Sequence, residues 1–210
     1  MQTKTPQIMA NTRLLEFLSL LAPHGGSCIM QIATLFEFVP LRKGDALLTE
    51  GQVCSAFYFV EMGALRTFIT KEGAEINLHF HLEGELTSDY KNGKIGNPSP
   101  FTIEACEKCE VWLIDRKKLE ALCHAHPDIL TFARRLLTYM LLNHDTQDFI
   151  LRVYNARDRY AHLERTNPRL LHRVSLSNLA SYLGMNRRTI TRIRQDKLRH
   201  LPHVADSWIS

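Results

Sequence analysis

The side chains best suited to chemistry lie in the C-terminal third of the chain, in LGMNRRTITRIRQDK (183–197). Arginine presents a planar fork that can bind guanine O6 and N7 together, and glutamine can bind adenine in a similar bidentate way. At about 100° per residue, several such side chains would share one face of a helix. They are Arg188, Thr191, Arg192 and Gln195, with Arg199 beyond them and Arg187 at the edge of the first turn. The stretch therefore predicts a helix that reads base edges in the major groove of DNA.

The same stretch offers groups for the DNA backbone. Thr189, Thr191 and Arg194 are suited by their chemistry to phosphate contacts, which position a protein without specifying a sequence. The alternative interpretation is a solvated basic face on a helix that belongs to the core.

A helix-turn-helix needs a particular pattern to hold such a helix in place. Apolar residues fill the wedge between its two helices, a small residue lies where they cross, and glycine permits the turn. Counted from Leu176, all of these positions are filled as the motif requires. They are Leu179, Ala180, Leu183, Gly184, Met185, Ile190 and Ile193. Ser175 or Ser177 can cap the first helix, and Asn186 can cap the second.

The net charge of +4 conceals an asymmetry between two parts of the chain. Residues 1–150 hold 14 Lys/Arg against 18 Asp/Glu, a net of −4, whereas residues 151–210 hold 12 against 4, a net of +8. A basic segment that also carries periodic apolar residues is expected to fold and to bind a polyanion. The charge favours nucleic acid as a partner of the C-terminal third alone.

The composition is that of a globular protein, with 45% hydrophobic and 23% charged residues among 210. This length suits one large domain or two small ones. No apolar run approaches the roughly 20 residues that span a bilayer, and the start lacks the apolar stretch of a secretory signal. We expect a cytoplasmic protein without a membrane partner, in which the five cysteines stay reduced.

Residues 35–115 have the pattern of short strands separated by turns. Glycines recur between runs such as SAFYFVEM, ALRTFIT and EINLHFHL, which favours an antiparallel sandwich or barrel. The triplet KEG (71–73) is expected at a hairpin tip, and EVWLIDR (110–116) is expected to close the region as a strand.

Helical periodicity begins at Pro127, which suits a first helical position. Apolar residues then recur at steps of three and four to about Tyr154. They include Ile129, Phe132, Leu136, Met140, Ile150 and Val153. This stripe either packs against its own domain or pairs with a second copy of the chain. Asn143 within it would suit the second alternative, since a lone polar residue can fix the register of paired helices.

Two parts of the chain resemble one known family. RVSLSNLASYLGMNRRTITRIRQDK (173–197) resembles the DNA-binding end of the Crp/Fnr family of transcription regulators, in particular its Bacteroidetes-type members. LRKGDALLTEGQ, FYFVEMGALRTF and FTIEACEKCEVWLIDRKKLEAL resemble the family's cyclic-nucleotide-binding jelly roll. The resemblance implies a homodimer joined through the central helix. It also implies base contacts by Arg187, Arg188 and Arg192.

The chain departs from the family's pattern at three places. Arg188 stands where the family usually has glutamate, so a different DNA half-site is expected. The segment after Lys197 lacks the alternating hairpin of a full wing. The segment that corresponds to the family's phosphate-binding cassette keeps its first two residues, Gly84-Glu85, and Glu85 could accept a hydrogen bond from a ribose hydroxyl. The family also has an arginine that neutralises the cyclic phosphate, and Ser99 stands near its place in this chain. Charge-assisted hydrogen bonds are worth ~1.5–3 kcal/mol each, and their loss argues against cyclic AMP as the effector.

Two other groups of residues suggest different chemistry. His79, His81 and Glu85 resemble the first metal motif of cupin enzymes, and their strand spacing puts both histidines on one face. The further histidine that such a site needs is missing from the later strands. Cys106 and Cys109 form a Cys-x2-Cys pair on a strand without a second pair, which favours structural cysteines over zinc or redox chemistry.

The sequence thus predicts an α+β protein with a cyclic-nucleotide-binding-type β jelly roll at 1–126, a long dimerisation helix at 127–154 and a helix-turn-helix domain at 155–210. The expected function is a homodimeric, sequence-specific DNA-binding transcription regulator without catalytic residues, metal or cofactor. Its expected partners are near-palindromic double-stranded DNA, a second copy of the chain, RNA polymerase, and an effector of unknown identity near Gly84, Glu85 and Ser99. The alternatives are a cupin-like metalloenzyme and a protein-binding signalling module that does not bind DNA.

Overall fold

The computed structural model describes residues 13–22, 26–144 and 146–199. The chain divides into two compact units, with the boundary between Gln147 and Asp148. The first unit is a β jelly roll with helices against it, and the second unit is helical. The fold class expected from the sequence is therefore confirmed.

Within the described residues, eight strands form two antiparallel sheets of four strands each. The strands are β1 (Phe36–Leu41), β2 (Ala46–Leu48), β3 (Ala56–Met62), β4 (Leu65–Lys71), β5 (Ala74–His81), β6 (Leu86–Thr87), β7 (Thr102–Ala105) and β8 (Cys109–Asp115). One sheet has the order β1-β8-β3-β6, and the other has the order β2-β7-β4-β5. The alternation of side chains along β3 and β8 gives the first sheet two apolar faces, so both must be covered.

The two faces of the first sheet have different partners. Its inner face packs on the second sheet through residues such as Tyr58, Val60 and Val111, which meet Leu65 and Ile103. Its outer face carries Phe57, Phe59, Leu86, Trp112 and Ile114, and these pack against helices. The helices of this unit are α1 (Arg13–Leu21), α2 (Gly26–Ala33), α3 (Tyr90–Lys94), α4 (Arg116–Ala125) and α5 (Pro127–His144).

The hairpin expected at KEG is present between β4 and β5. Glu72 and Gly73 connect the two strands and both have positive φ, 52° and 78°. This is the conformation of a two-residue turn whose twist matches that of the flanking strands. The strand expected at 110–116 is β8, and Pro127 opens α5 as expected.

Glu61 fixes α1 on the outer face of the first sheet. Its carboxylate accepts from the backbone N–H of Arg13 at 2.8 Å and of Leu14 at 3.1 Å, which lack partners within the helix. The same carboxylate accepts from Trp112 Nε1 at 3.1 Å. One acidic side chain thus joins a helix N-terminus to the sheet.

The structure decides between the two alternatives for the apolar stripe of α5. Ile129, Phe132, Leu136 and Met140 are at most 7% exposed and belong to the core on the outer face of the first sheet. This part of the stripe packs against its own domain, and it is not available to a second copy of the chain. The side chain of Asn143 lies outside the described residues.

The helices of the second unit follow α5 in the chain. They are α6 (Thr146–Val153), α7 (Ala156–Thr166), α8 (Leu170–Arg173), α9 (Leu176–Tyr182) and α10 (Arg187–Arg199). The unit boundary falls in the first turn of α6, so most of this helix belongs with the C-terminal unit. Across the described ranges, every helix is too short or too polar to cross a membrane.

We expect Phe132→Ala to destabilise the first unit by about 3–5 kcal/mol, because truncating a fully buried aromatic residue leaves a cavity. A urea denaturation curve would show the change as a lower midpoint. Thr138→Ala, at an exposed position of the same helix, is the matched control and should shift stability by less than about 0.5 kcal/mol. A Phe132 variant of unchanged stability would contradict the assignment of this stripe to the core.

Candidate nucleic-acid interface

The pair α9 and α10 forms a helix-turn-helix. Leu179, Ala180, Leu183, Ile190 and Ile193 are at most 4% exposed, and α10 packs against α9 and also against α7. The apolar wedge required by the motif is thus filled by residues at the expected positions. Met185, the remaining apolar position of the pattern, is only half-buried.

Capping side chains define where both helices begin. The Ser175 hydroxyl accepts from the N–H of Asn178 at 3.1 Å, so Ser175 caps α9 and the exposed Ser177 does not. Asn186 Oδ1 accepts from the N–H of Thr189 at 2.8 Å and so caps α10. Gly184 between the helices has φ +61°, a conformation that strains other residues.

The face of α10 opposite Ile190 and Ile193 is exposed. It carries the polar side chains that the sequence assigned to base contacts. Arg187, Arg188, Thr191, Arg192 and Gln195 are all exposed, and Thr189 is half-buried at the side of the helix. An arginine-rich face held rigid from behind by buried isoleucines is the arrangement that major-groove reading requires.

The hydroxyls of the two threonines make local hydrogen bonds. Thr189 Oγ1 donates to Asn186 Oδ1 at 2.9 Å, and Thr191 Oγ1 donates to Arg187 O at 3.1 Å. Each hydroxyl has a single proton, and phosphate oxygens only accept. A phosphate contact from Thr189 or Thr191 would therefore require its hydroxyl to turn away from its present partner.

Arg194, which the sequence assigned to a phosphate contact, is hydrogen-bonded within the protein. Arg194 Nε donates to Tyr160 Oη at 3.0 Å, Nη2 donates to Leu171 O at 3.3 Å, and the guanidinium carbon lies 5.8 Å from the Tyr160 ring centroid. The helical wheel contained the signal, because Arg194 lies only about 40° from Ile190. The side chain fastens α10 to α7 and to α8.

Two more ion pairs fasten α10 to α7. Arg157 Nη2 lies 3.1 Å from Asp196 Oδ2, and Lys197 pairs with Glu164. The Lys197 ammonium also lies 5.3 Å from the centroid of the Tyr160 ring. Part of the +8 charge of the C-terminal third is thus used within the protein. The exposed arginines of α10 belong to the part that faces outward.

The residues expected around an effector are held by local bonds. Gly84 has φ +86° in the turn between β5 and β6, and Glu85 accepts from the N–H of Leu82 at 3.2 Å. Burial raises the pKa of Glu85, against the effect of that bond. Ser99 is 2% exposed, and its hydroxyl donates to Phe101 O at 2.9 Å. Their role toward an effector stays a prediction.

The structure brings together a different polar group between the sheets. His81 Nε2 lies 3.0 Å from Thr67 Oγ1 and 3.1 Å from Thr87 Oγ1, and both threonines are buried. Thr67 and His81 come from the second sheet and Thr87 from the first. Sequence reasoning missed both threonines, because only the pairing of β4 with β5 and the closure of the two sheets place them beside the histidine.

The residues of the cupin-like motif contact other groups of the protein. The His79 and His81 rings lie 6.2 Å apart on one face of β5, as expected, and the Glu85 carboxylate accepts from the backbone. In the parts of the chain that the structure describes, no group of three or more His, Cys, Asp or Glu could hold a metal ion.

Cys106 does not lie on a strand, contrary to the expectation. It lies in the turn between β7 and β8, whereas Cys109 begins β8 and donates to Ala64 O at 3.3 Å. Burial raises the pKa of Cys106 to about 12, so its thiol stays protonated near neutral pH. The Cys106 thiol is therefore not in the reactive thiolate form that redox chemistry requires.

Comparison with known proteins agrees with this architecture. The family model "Cyclic nucleotide-binding domain" matches residues 38–126. The transcriptional activator protein FnrA of Stutzerimonas stutzeri is 27% identical over 166 residues, which are 73% of this chain and 67% of that protein. FixK2 from Bradyrhizobium japonicum has the same fold, with a TM-score of 0.65 at 20% identity over 81% of this chain and 89% of that one. Thermus thermophilus catabolite activator protein gives 0.51 at 22% identity, covering 86% of each chain.

A jelly roll of this type joined to a helix-turn-helix defines a class of DNA-binding transcription regulators. The similarity of the chain to these transcription regulators supports membership of the Crp/Fnr family of that class. Its resemblance to the Bacteroidetes-type members in particular stays a prediction. The expected departure in the wing concerns residues after Lys197, most of which lie outside the described residues.

Substitution of two arginines of α10 should affect stability to different degrees. We expect Arg194→Met to lower the free energy of unfolding by about 1–3 kcal/mol, because it removes charge-assisted bonds to Tyr160 and Leu171. Arg192→Met should leave stability within about 0.5 kcal/mol, because Arg192 is exposed. Thermal unfolding of the two variants measures the difference. Equal losses of stability would contradict the internal role of Arg194.

Proposed function

We propose that the chain acts as a homodimeric, sequence-specific regulator that binds a near-palindromic site in double-stranded DNA. The observation that supports this most directly is the exposed face of α10, with Arg188, Arg192 and Gln195 opposite the buried Ile190 and Ile193. Two such helices in one dimer would enter successive major grooves about 34 Å apart. The family relatives bind DNA and function as dimers, and they are transcription regulators rather than enzymes.

The base readout is assigned to Arg187, Arg188, Arg192 and Gln195. Arginine at position 188 favours guanine contacts, because its fork matches O6 and N7 of that base. Thr189 and Thr191 would supply phosphate contacts after their hydroxyls turn outward. The place of action would be the cytoplasm, and RNA polymerase would be the partner that receives the signal.

The dimer surface is assigned to a face of α5 that the sequence did not single out. Leu130 is 49% exposed and Leu141 is 71% exposed, and the half-buried Leu137 lies between them. The three lie within about 40° of one another on a helical wheel, to the side of the stripe that packs on the sheet. Leucines spaced by seven and four residues form the type of seam that two helices bury together.

The jelly roll is assigned to effector sensing. Its interior offers the imidazole of His81 with the hydroxyls of Thr67 and Thr87. Arg66, a buried arginine of the neighbouring β4, is bound to Glu75 at 2.6 Å and to Glu104 at 2.9 Å. It is thus committed to two carboxylates, which supports an effector other than a cyclic nucleotide that needs an arginine for its phosphate.

We expect Arg188→Ala and Arg192→Ala each to relax base preference at particular positions by about 1–3 kcal/mol. The reason is that each loses one bidentate contact to a base edge. Selection of bound DNA from a random pool at fixed salt, followed by affinity measurements on single-base variants of the selected site, gives the result. Arg165→Ala, an exposed arginine of α7, is the control and should leave the preference unchanged.

Three outcomes of that selection decide between the alternatives. A symmetric site supports the proposal. Uniform weakening on every sequence would reassign the arginine to phosphate contacts. Wild-type protein that selects no DNA and shows no salt-dependent affinity would favour a protein-binding signalling module instead.

We expect Leu141→Glu to give monomers, because a carboxylate in a leucine seam would be buried without a partner. Leu142→Glu is the matched control, since Leu142 is 75% exposed and lies about 100° further around the helix. Sedimentation equilibrium measures the mass of each variant. If Leu142→Glu dissociates the dimer and Leu141→Glu does not, the seam lies on another face.

A further inference from the structure

Arg159 in α7 donates hydrogen bonds to backbone carbonyls of three separate segments. Its Nη2 donates to Leu151 O at 2.7 Å and its Nε donates to Tyr154 O at 2.9 Å. Its Nη1 donates to Leu183 O at 3.1 Å and lies 3.3 Å from Gly184 O. One guanidinium therefore joins the last turn of α6, the segment before α7 and the turn of the helix-turn-helix.

These carbonyls lie where helices end. Leu151 is in the last turn of α6, and Leu183 is the residue that caps the C-terminus of α9. Carbonyls at helix C-termini lack intrahelical partners and carry partial negative charge, so a cation placed there is stabilising. A planar fork can serve several such acceptors at fixed angles, whereas a lysine ammonium presents its donors from a single point.

The lack of a side chain at Gly184 leaves room for the Arg159 guanidinium. Besides its positive φ, a Cβ at position 184 would lie 3.1 Å from Arg159 Nη1 and 3.3 Å from Leu151 Cδ2. A side chain at this position would thus compete with the guanidinium for space. The first residue of α10, Arg187, follows only three residues later, so any shift of this turn also shifts the start of α10.

We propose that Arg159 is a positioning residue for DNA binding, which couples the end of α6 to the turn that sets the N-terminus of α10. A displacement of α6 is thereby passed to Arg187 and Arg188. Arg159 itself contacts no DNA, because its guanidinium donates to the protein's own carbonyls. This inference rests on the proposed DNA-binding function.

The first test measures DNA affinity of Arg159→Lys and Arg159→Met, with Arg165→Met as the control for a lost charge on the same helix. Both Arg159 variants should bind the DNA site obtained by the selection described above about tenfold to a hundredfold more weakly, because base contacts are misplaced. Non-specific affinity and the dependence of affinity on salt should stay as in the wild type, because the phosphate contacts remain. Arg159→Lys with wild-type operator affinity would refute the proposal, and so would a shallower salt dependence.

The second test needs no DNA. In Arg159→Lys, the amides of Gly184 and Tyr154, bonded to Ser181 O and Ile150 O, should exchange hydrogen about tenfold faster. The two amides belong to different segments, so faster exchange of both indicates that one side chain holds both. Acceleration at only one place, or at neither, would refute the coupling. A wild type that binds no DNA would refute the proposed function, while the exchange rates would still decide whether Arg159 joins the two segments.

Discussion

The burial of Ile190 and Ile193 is the constraint on which the candidate DNA-binding surface depends. With these two side chains held against α9 and α7, every other residue of α10 has a fixed direction. Arg188 and Arg192 are then directed outward and exposed. Specific recognition of base edges requires such a rigid support, because the hydrogen bonds that discriminate bases depend on position.

Around this apolar contact, basic residues of the C-terminal unit divide into two groups with different tasks. Arg157, Arg159, Arg194 and Lys197 bind groups of the protein, and they lie on α7 or on the inner side of α10. The exposed arginines of α10 are left for a partner. The net charge of the segment indicated a polyanion partner, but it overstated the number of positive charges that face it.

In the jelly roll, too, the burial of apolar surfaces determines which residues are exposed. Because both faces of its first sheet are apolar, the outer face must be covered, and α5 covers it. Ile129, Phe132 and Leu136 are therefore buried there. A dimer built on α5 therefore has to use another side of the helix, where Leu130 and Leu141 are exposed. The interior between the sheets combines an apolar part with the hydrogen bonds of His81 to two buried threonines.

The sequence by itself determined the elements whose signals are local. The positions of Leu179, Gly184 and Ile193 defined the helix-turn-helix, and the glycine-separated runs defined the jelly roll, because helix, strand and turn preferences act over a few residues. Only the tertiary structure decided which neighbour each face meets. It placed Arg194 on Tyr160, α5 on its own sheet and Arg159 across three segments, because these contacts join residues distant in the chain and depend on how the helices and sheets pack.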